Sequence, residues 1–258
     1  MTQSNKRPVL VVTAGGRNPQ ILINALQHRF ETVSVLLEKP ESKTVFFKRR
    51  ARKLGRAMAA GQLATMVVSK FGKRFTEKRA QEIIRQYNVS DTINPTVPVI
   101  DILSVNSTEA INHIRRLDPG VVFLVSCRML SSGILAAIPC PVINFHAGIN
   151  PQYRGLMGGY WSRIAGDERN FGSTVHLVDK GVDTGGILYQ SRMAPSKEDT
   201  LHTYPLLQTA AATDIAIRAV EDALAGNLRP LTVGGPSRQW YHPPVWTWLW
   251  NGFTRGIW

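Results

Sequence analysis

The feature that most constrains this chain is a run of five residues, Val121-Val122-Phe123-Leu124-Val125, with no polar side chain among them. A strand with one wet face alternates apolar and polar residues, so a continuous apolar run demands cover on both sides. Comparable runs stand at 8–13 (Pro-Val-Leu-Val-Val-Thr), at Val33 to Leu37 and at Val142 to Phe145. Segments of helical spacing separate them. Strands covered on both faces and alternating with helices predict an α/β fold, with an open, mostly parallel, Rossmann-like sheet and right-handed crossovers.

Local signals fill in that frame. Ala14-Gly15-Gly16-Arg17-Asn18 follows the first run, and Ile21, Leu22, Ala25 and Leu26 then recur at helical spacing. Phe47, Ala51, Leu54 and Met58 fall at i, i+4, i+7 and i+11, predicting a strongly basic helix around 45–60 that Gly61 interrupts. Thr76 predicts the cap of a helix running through Tyr87, and Val97 to Leu103 reads as a strand. Asn106-Ser107-Thr108-Glu109 has the form of a capping box, opening a helix whose stripe is Ala110, Ile111, Ile114 and Leu117. Ile134 to Ile138 reads as a short helix. Beyond Gln190 the alternation stops. Thr203 to Leu224 reads as one helix closed by Gly226, and the tail from Trp240 to Trp258 holds five of the six tryptophans.

Composition bounds the function classes. Of 258 residues, 43% are hydrophobic and 19% charged, enough for a core and too apolar for disorder. No run of 18 or more apolar residues reads as a spanning helix. Met1 to Arg7 lacks the layout of a signal peptide. The two cysteines, Cys127 and Cys140, stand in apolar surroundings, which argues against a disulfide scaffold and a cysteine-rich zinc site. The expectation is a soluble, cytoplasmic protein. The formal charge is +13, and Lys43 to Arg85 holds 13 basic and 2 acidic residues. So local an excess predicts one anionic partner at one place. The basic helix is either a solvated face or a contact for nucleotide phosphates or anionic lipid. The tryptophan tail either packs back onto the domain or across a homodimer, or makes weak peripheral contact with an anionic membrane at the inner face of the cytoplasmic membrane.

The chemistry concentrates in two blocks. The first, Asn144-Phe145-His146 followed by Pro151-Gln152-Tyr153-Arg154-Gly155, leaves the C-terminal end of a predicted strand, where open α/β sheets hold ligands. Residues i and i+2 of a strand share a side, so Asn144 and His146 project together. An amide beside an imidazole can stabilise a developing oxyanion and move protons near neutral pH. The second block, Gly172-Ser173-Thr174-Val175-His176 and then Gly181-Val182-Asp183-Thr184-Gly185, is a strand and a loop carrying an acid. A carboxylate brought to His146 would orient its ring. His176 reads as a structural hydrogen-bonding residue first and a site-lining one second. Asp-Thr-Gly is also the aspartic protease signature, but that chemistry needs two such triplets or a dimer of much smaller subunits.

Together the two blocks resemble the folate-dependent formyltransferases. Their hallmark is Asn-x-His, a Pro-x-Tyr/Trp-Arg-Gly loop, Gly-x-Thr-x-His/Met and an Asp-Thr/Ala-Gly loop, all present here in order. The resemblance covers about 95–190 well and 8–40 loosely. It implies the formyltransferase fold, with a catalytic domain at 1–190 and a C-terminal helix and Trp-rich tail at 191–258. It also implies transfer of formyl from N10-formyltetrahydrofolate, as co-substrate, to an amine. Asn144, His146 and Asp183 are then the catalytic residues. The pterin is expected against Arg128, Met129 and Leu130 and against Gly181 and Val182. No metal is implied. Tyr153, Arg154 and Arg17 are the expected contacts to the acceptor.

The acceptor is read by departure from some members. Methionyl-tRNA formyltransferases resemble this chain but carry a further C-terminal barrel, whereas 68 residues follow Gln190, so no nucleic-acid partner is expected. Glycinamide ribonucleotide transformylases open with Ser-Gly-x-Gly-Ser-Asn. The matching Thr13-Ala14-Gly15-Gly16-Arg17-Asn18 lacks one glycine and the serine, leaving purine synthesis as the alternative. The whole chain most resembles the short enzymes that formylate a nucleotide-linked 4-amino-4,6-dideoxy sugar of the GDP-perosamine type in lipopolysaccharide O-antigen synthesis. A non-catalytic lipid- or nucleic-acid-binding protein on the same scaffold is the reading of another class.

Overall fold

The computed structural model describes residues 7–258, and of Lys73 only the backbone. Apart from Arg7, the polar N-terminal stretch lies outside the described residues. In chain order the elements are β1 (Val9–Thr13), α1 (Arg17–Arg29), β2 (Val33–Glu38), α2 (Lys43–Leu54), α3 (Arg56–Lys73), α4 (Glu77–Gln86), β3 (Val99–Ile102) and α5 (Thr108–Leu117). Then follow β4 (Val121–Val125), α6 (Ser132–Ala137), β5 (Val142–His146), β6 (Arg154–Gly155), α7 (Gly158–Ile164), β7 (Gly172–Leu177) and β8 (Ile187–Arg192). The C-terminal part holds α8 (Tyr204–Ala210), α9 (Thr213–Ala225), β9 (Gln239–Trp240) and α10 (Val245–Arg255).

Seven strands form one sheet in the order β3-β2-β1-β4-β5-β7-β8, parallel up to β5 and antiparallel across β5, β7 and β8. The Val121–Val125 run lies mid-sheet, buried on both faces as its composition demanded. Val121, Phe123 and Val125 pack into one core with Leu22, Leu26, Ala216 and Val220. Val122 and Leu124 pack into the other with Ile111, Ile114 and Leu130. α8 and α9 lie beyond residue 190, yet α9 is buried in the same core as β1 and β4. The chain up to Ala225 therefore shares the packing of the described residues before 190, and a boundary at 190 separates no second core.

Three local readings change. The basic helix breaks at Gly55 rather than Gly61, where φ is 88°, giving α2 and α3 as two helices. Gly61 instead lies inside α3 under the Trp246 ring, where an added Cβ would stand 2.4 Å from it. The 203–224 segment splits at Ala211-Ala212 into α8 and α9. The helix cap at 106–109 is Ser107, whose Oγ accepts from the Ala110 amide at 3.1 Å. Asn106 instead ties the loop after β4, donating to the Met129 carbonyl (3.0 Å) and accepting from the Ser131 amide (2.7 Å).

Candidate active site

The site forms where β5 ends and β7 runs back beside it. Their register sets Asn144 opposite His176 and His146 opposite Thr174. The loop after His146 is pinned from β7 and β8. Thr174 Oγ1 donates to the Gly148 carbonyl and accepts from the Asn150 amide, and Gln190 donates to the Asn150 carbonyl. The ring of His146 lies beneath this loop, its Nε2 donating to the Tyr153 carbonyl at 2.7 Å. Gly148 makes room for it: an added Cβ would stand 2.4 Å from both His146 Nε2 and the Tyr153 oxygen.

Asp183 is the hub. It adopts a left-handed conformation with φ 52°. Its Oδ2 accepts from the Gly155 amide at 2.8 Å and lies 3.5 Å from His146 Nδ1. Its Oδ1 accepts from Asn144 Nδ2 at 3.3 Å and lies 3.3 Å from His176 Nε2. Burial alone would push this carboxyl up. His146, then His176 and the Gly155 amide, outweigh burial and hold it well below the usual carboxylate range. Both nitrogens of His146 face oxygen acceptors, so the ring is fixed in orientation from two sides. Asn144 and His146 were read as a pair from strand spacing, and Asp183 from its loop; the structure brings all three together.

His176 joins them. It was read mainly as a structural residue, yet its Nε2 lies 3.1 Å from Asn144 Nδ2 while Nδ1 donates to the Leu177 carbonyl. The signal lay in the strand: His176 stands two residues from Thr174 and so faces the same side of β7.

The tail buttresses this arrangement. β9 pairs with β6, and the Leu156 amide donates to the Trp240 carbonyl. Gly155 has φ 94°, and an added Cβ would stand 2.4 Å from that same Trp240 oxygen. Only glycine combines this backbone angle with so close an approach. Trp240 stacks on Trp161 at 4.7 Å and donates to the Gln152 carbonyl.

The other sequence-read contacts have intramolecular partners. Tyr153 is buried, its hydroxyl donating to Asp167, and burial ahead of Asp167 pushes that phenol above its usual range. Arg154 donates to the Val182 carbonyl (2.7 Å) and to Ser237 (3.0 Å), clamping the Asp183 loop to the tail. Arg17 makes a fork onto Glu77 and a further ion pair with Asp91 at 2.8 Å. Arg128 is held by Glu38 and by the Leu103 and Lys39 carbonyls. Met129 is half exposed and Leu130 buried.

A cavity of about 410 Å³ opens at the Gly15-Gly16 turn. The Gly15-Gly16 turn, Arg17 and Asn18 at the start of α1, and Ser126 and Met157 form one wall. Ser69 and Lys70 of α3, His202 and His242 form the other. Asn144, His146 and Asp183 do not line it; Met157 connects the two, two residues after the Gly155 amide that holds Asp183. Burial, ahead of the nearby Arg50 charge, pushes His242 down to about 4, so it enters this wall as a neutral ring at ordinary pH. Neither Lys70 nor His242 was singled out in the sequence, because nothing local places α3 or the tail against the glycine turn.

An amide, an imidazole and an ionised carboxylate at the C-terminal end of the parallel strands form an arrangement that can stabilise an oxyanion and move a proton. The sequence profile of the formyl transferase family matches residues 6–220, and the chain belongs to that family. A methionyl-tRNA formyltransferase of Pelotomaculum thermopropionicum is 32% identical over 108 residues, 42% of this chain and 34% of that enzyme. The chain spans about a third to a half of the length of such curated relatives. In structure it resembles a sugar N-formyltransferase from Shewanella sp FDAARGOS_354 (TM-score 0.55, 18% identity, 90% of this chain and 76% of that one). It also resembles glycinamide ribonucleotide transformylase 1 from Symbiobacterium toebii (TM-score 0.57, 19% identity, 89% and 96%). Both likenesses establish the formyltransferase fold.

Proposed function

We propose that this chain transfers a formyl group from N10-formyltetrahydrofolate to the primary amine of a nucleotide-linked 4-amino-4,6-dideoxy sugar of the GDP-perosamine type, in O-antigen synthesis. The observation that carries the transfer chemistry is the convergence of Asn144 and His146 on the Asp183 carboxylate. The co-substrate supplies an activated formyl carbon. Asn144, and His146 once its Nε2 exchanges the Tyr153 carbonyl for the substrate, stabilise the negative oxygen that forms when the amine adds to that carbon. Asp183 keeps His146 oriented and takes part in moving the amine proton towards the departing folate nitrogen.

The residues present fit the folate. Among the described residues, neither the amide nor the carbonyl of Leu130 has a protein partner, so an unpaired peptide edge stands next to the half-exposed Met129. A pterin, with donors and acceptors along one rim, suits such an edge. Arg128 and the Gly181-Val182 turn are the further proposed contacts. Arg128 is left with its carbonyl, since Glu38 takes its amide and Glu38 and two carbonyls engage its guanidinium.

The cavity supports an anionic, hydroxyl-rich acceptor. The N-terminus of α1 has no acidic residue in its first turn and opens into the cavity, with Lys70 opposite. Ser69, Asn18 and the neutral His242 are suited to hydroxyl or carbonyl groups. Arg17 serves this pocket as a brace, because Glu77 and Asp91 already neutralise it. The preference for a sugar rests on the whole-chain resemblance to the short sugar enzymes.

The test is an acceptor panel with N10-formyltetrahydrofolate, following release of tetrahydrofolate. The panel holds GDP-, dTDP- and UDP-linked amino sugars, glycinamide ribonucleotide and methionyl-tRNA. Turnover with a nucleotide-linked 4-amino sugar is the expected result. Turnover with glycinamide ribonucleotide or methionyl-tRNA alone overturns the acceptor and keeps the chemistry. No tetrahydrofolate release with any acceptor overturns both.

A further inference from the structure

The helices that carry the excess positive charge are poorly covered. α2 is twelve residues long and has no buried residue. α3 packs beside it, with Phe46 of α2 near Leu63, Met66 and Val67 of α3. On the other flank of α3 lies α10, fixed by Trp246 over Gly61 and by Thr65 Oγ1 donating to the Pro243 carbonyl at 2.7 Å.

Between these two neighbours α3 shows an apolar arc to water. Gly61 and Val68 stand at i and i+7, so Val68 continues the line that Trp246 begins, and Phe75 follows in the 3-10 turn Arg74–Thr76 just beyond the helix. Val67 and Phe71 lie beside that line. Phe71 is 70% exposed and Phe75 83%. α10 carries its own stripe at i, i+4 and i+7: Trp246, Trp250 (68% exposed) and Phe253 (78%). Single exposed apolar residues need no explanation, but two adjoining aromatic stripes do.

The charges decide what covers them. Arg74 and Lys78 are exposed beside Phe75, and Lys48, Arg52 and Arg56 are exposed further along α2 and α3. The two acids of the 43–85 segment, Glu77 and Glu82, are engaged by Arg17 and Arg79. A second copy of this chain would bring the same positive surface against itself. Nucleic acid would match the charge and stack on aromatic rings, but it has no use for Val67 and Val68 beside them. Aromatic and aliphatic side chains rimmed by Lys and Arg, on helices too short and too polar to cross a bilayer, suit shallow insertion among acidic headgroups.

We propose that α2, α3 and α10 together form a peripheral docking surface for an anionic phospholipid membrane. Phe71, Phe75, Trp250 and Phe253 enter the interface, and the surrounding Lys and Arg side chains hold the headgroups. Neither signal suffices alone, since one small apolar insertion or a few charges binds only marginally. The surface lies outside the Asn144–His146–Asp183 cluster, so docking does not depend on the identity of the acceptor.

The experiment is flotation of the full chain with vesicles of phosphatidylcholine alone and of phosphatidylcholine mixed with phosphatidylglycerol, with tryptophan emission recorded in parallel. The chain is expected to float only with the anionic vesicles, to shift its emission to the blue, and to be released by salt. Phe71→Ser with Phe75→Ser is expected to lower partitioning about tenfold or more, with Tm and formyl transfer unchanged. Arg74→Gln with Lys78→Gln lowers it in the same direction. Absence of flotation with anionic vesicles overturns the proposal, as does unchanged partitioning of the double Phe variant. Sedimentation showing a dimer that the Phe substitutions dissociate assigns the face to a second copy and overturns it. So does tRNA binding that the Phe substitutions abolish while wild-type vesicle binding stays absent.

Discussion

The Asp183 cluster and the α2–α3 hairpin are opposites within one chain. The Asp183 carboxylate finds its complements inside the molecule: it faces an amide side chain, two imidazoles and a backbone N–H. In the hairpin, none of the twelve residues of α2 is fully buried and much of the charge faces water. A site that must act on a small substrate is over-determined by its own fold. A surface that meets a large partner leaves its complement to that partner.

The sharpest way to break the comparison is to remove the cluster's members. Asn144→Ala, His146→Ala and Asp183→Ala are each expected to lower turnover by about 10² or more, measured as tetrahydrofolate release. Wild-type rates in a purified, folded His146→Ala protein would remove that residue from the chemistry. The same cluster sets a pH dependence. The pKa of Asp183 is lower folded than unfolded, so its ionisation stabilises the fold above about pH 4. That contribution falls as pH drops towards the folded value. Denaturant melts of wild type and Asp183→Asn are therefore expected to differ most near neutrality and to converge in acid. A difference that grew on acidification would contradict the depressed pKa.

Packing around the two regions gives the next effects. Gly148→Ala forces a methyl group into His146 Nε2 and the Tyr153 carbonyl. It is expected to cost about 1–3 kcal/mol of stability and to lower kcat by displacing the ring. Gly61→Ala pushes on Trp246 instead, with a similar or smaller loss in Tm and a much smaller loss of turnover. Equal losses of turnover from both would mean that α10 governs the site as strongly as the loop after β5.

The smallest effects compare two caps. Ser107 Oγ caps α5, whose Ile111 and Ile114 are core residues, so Ser107→Ala is expected to cost about 1 kcal/mol globally. Ser42 Oγ caps α2 in the same manner, accepting from Val45 at 3.3 Å. Ser42→Ala is expected to speed hydrogen exchange within α2 and leave the global Tm almost unchanged. A global loss from Ser42→Ala would show that α2 is coupled to the core after all.

Much was legible in the residues alone. The doubly covered Val121–Val125 strand, the order of strands and helices through β5, and the common side of Asn144 and His146 all follow from local periodicity. A side chain's face is fixed by its distance along the chain, so spacing reveals it. The Asp183 loop was legible as a glycine-bounded loop carrying an acid, and the family pattern joined it to Asn144 and His146.

What the tertiary structure decided is non-local. His176 enters the cluster because β7 pairs antiparallel with β5 in one register. Arg17, at a glycine turn, is neutralised by Glu77, sixty residues on, and by Asp91. Arg154 clamps Val182 to Ser237, and Tyr153 is buried against Asp167. The basic helix breaks at Gly55, and Gly61 carries Trp246 from the other end of the chain. Periodicity reports which way a side chain points. Ion pairs, registers and close approaches depend on which distant segment arrives in front of it, and only the packed sheet with its wrapping tail determines that.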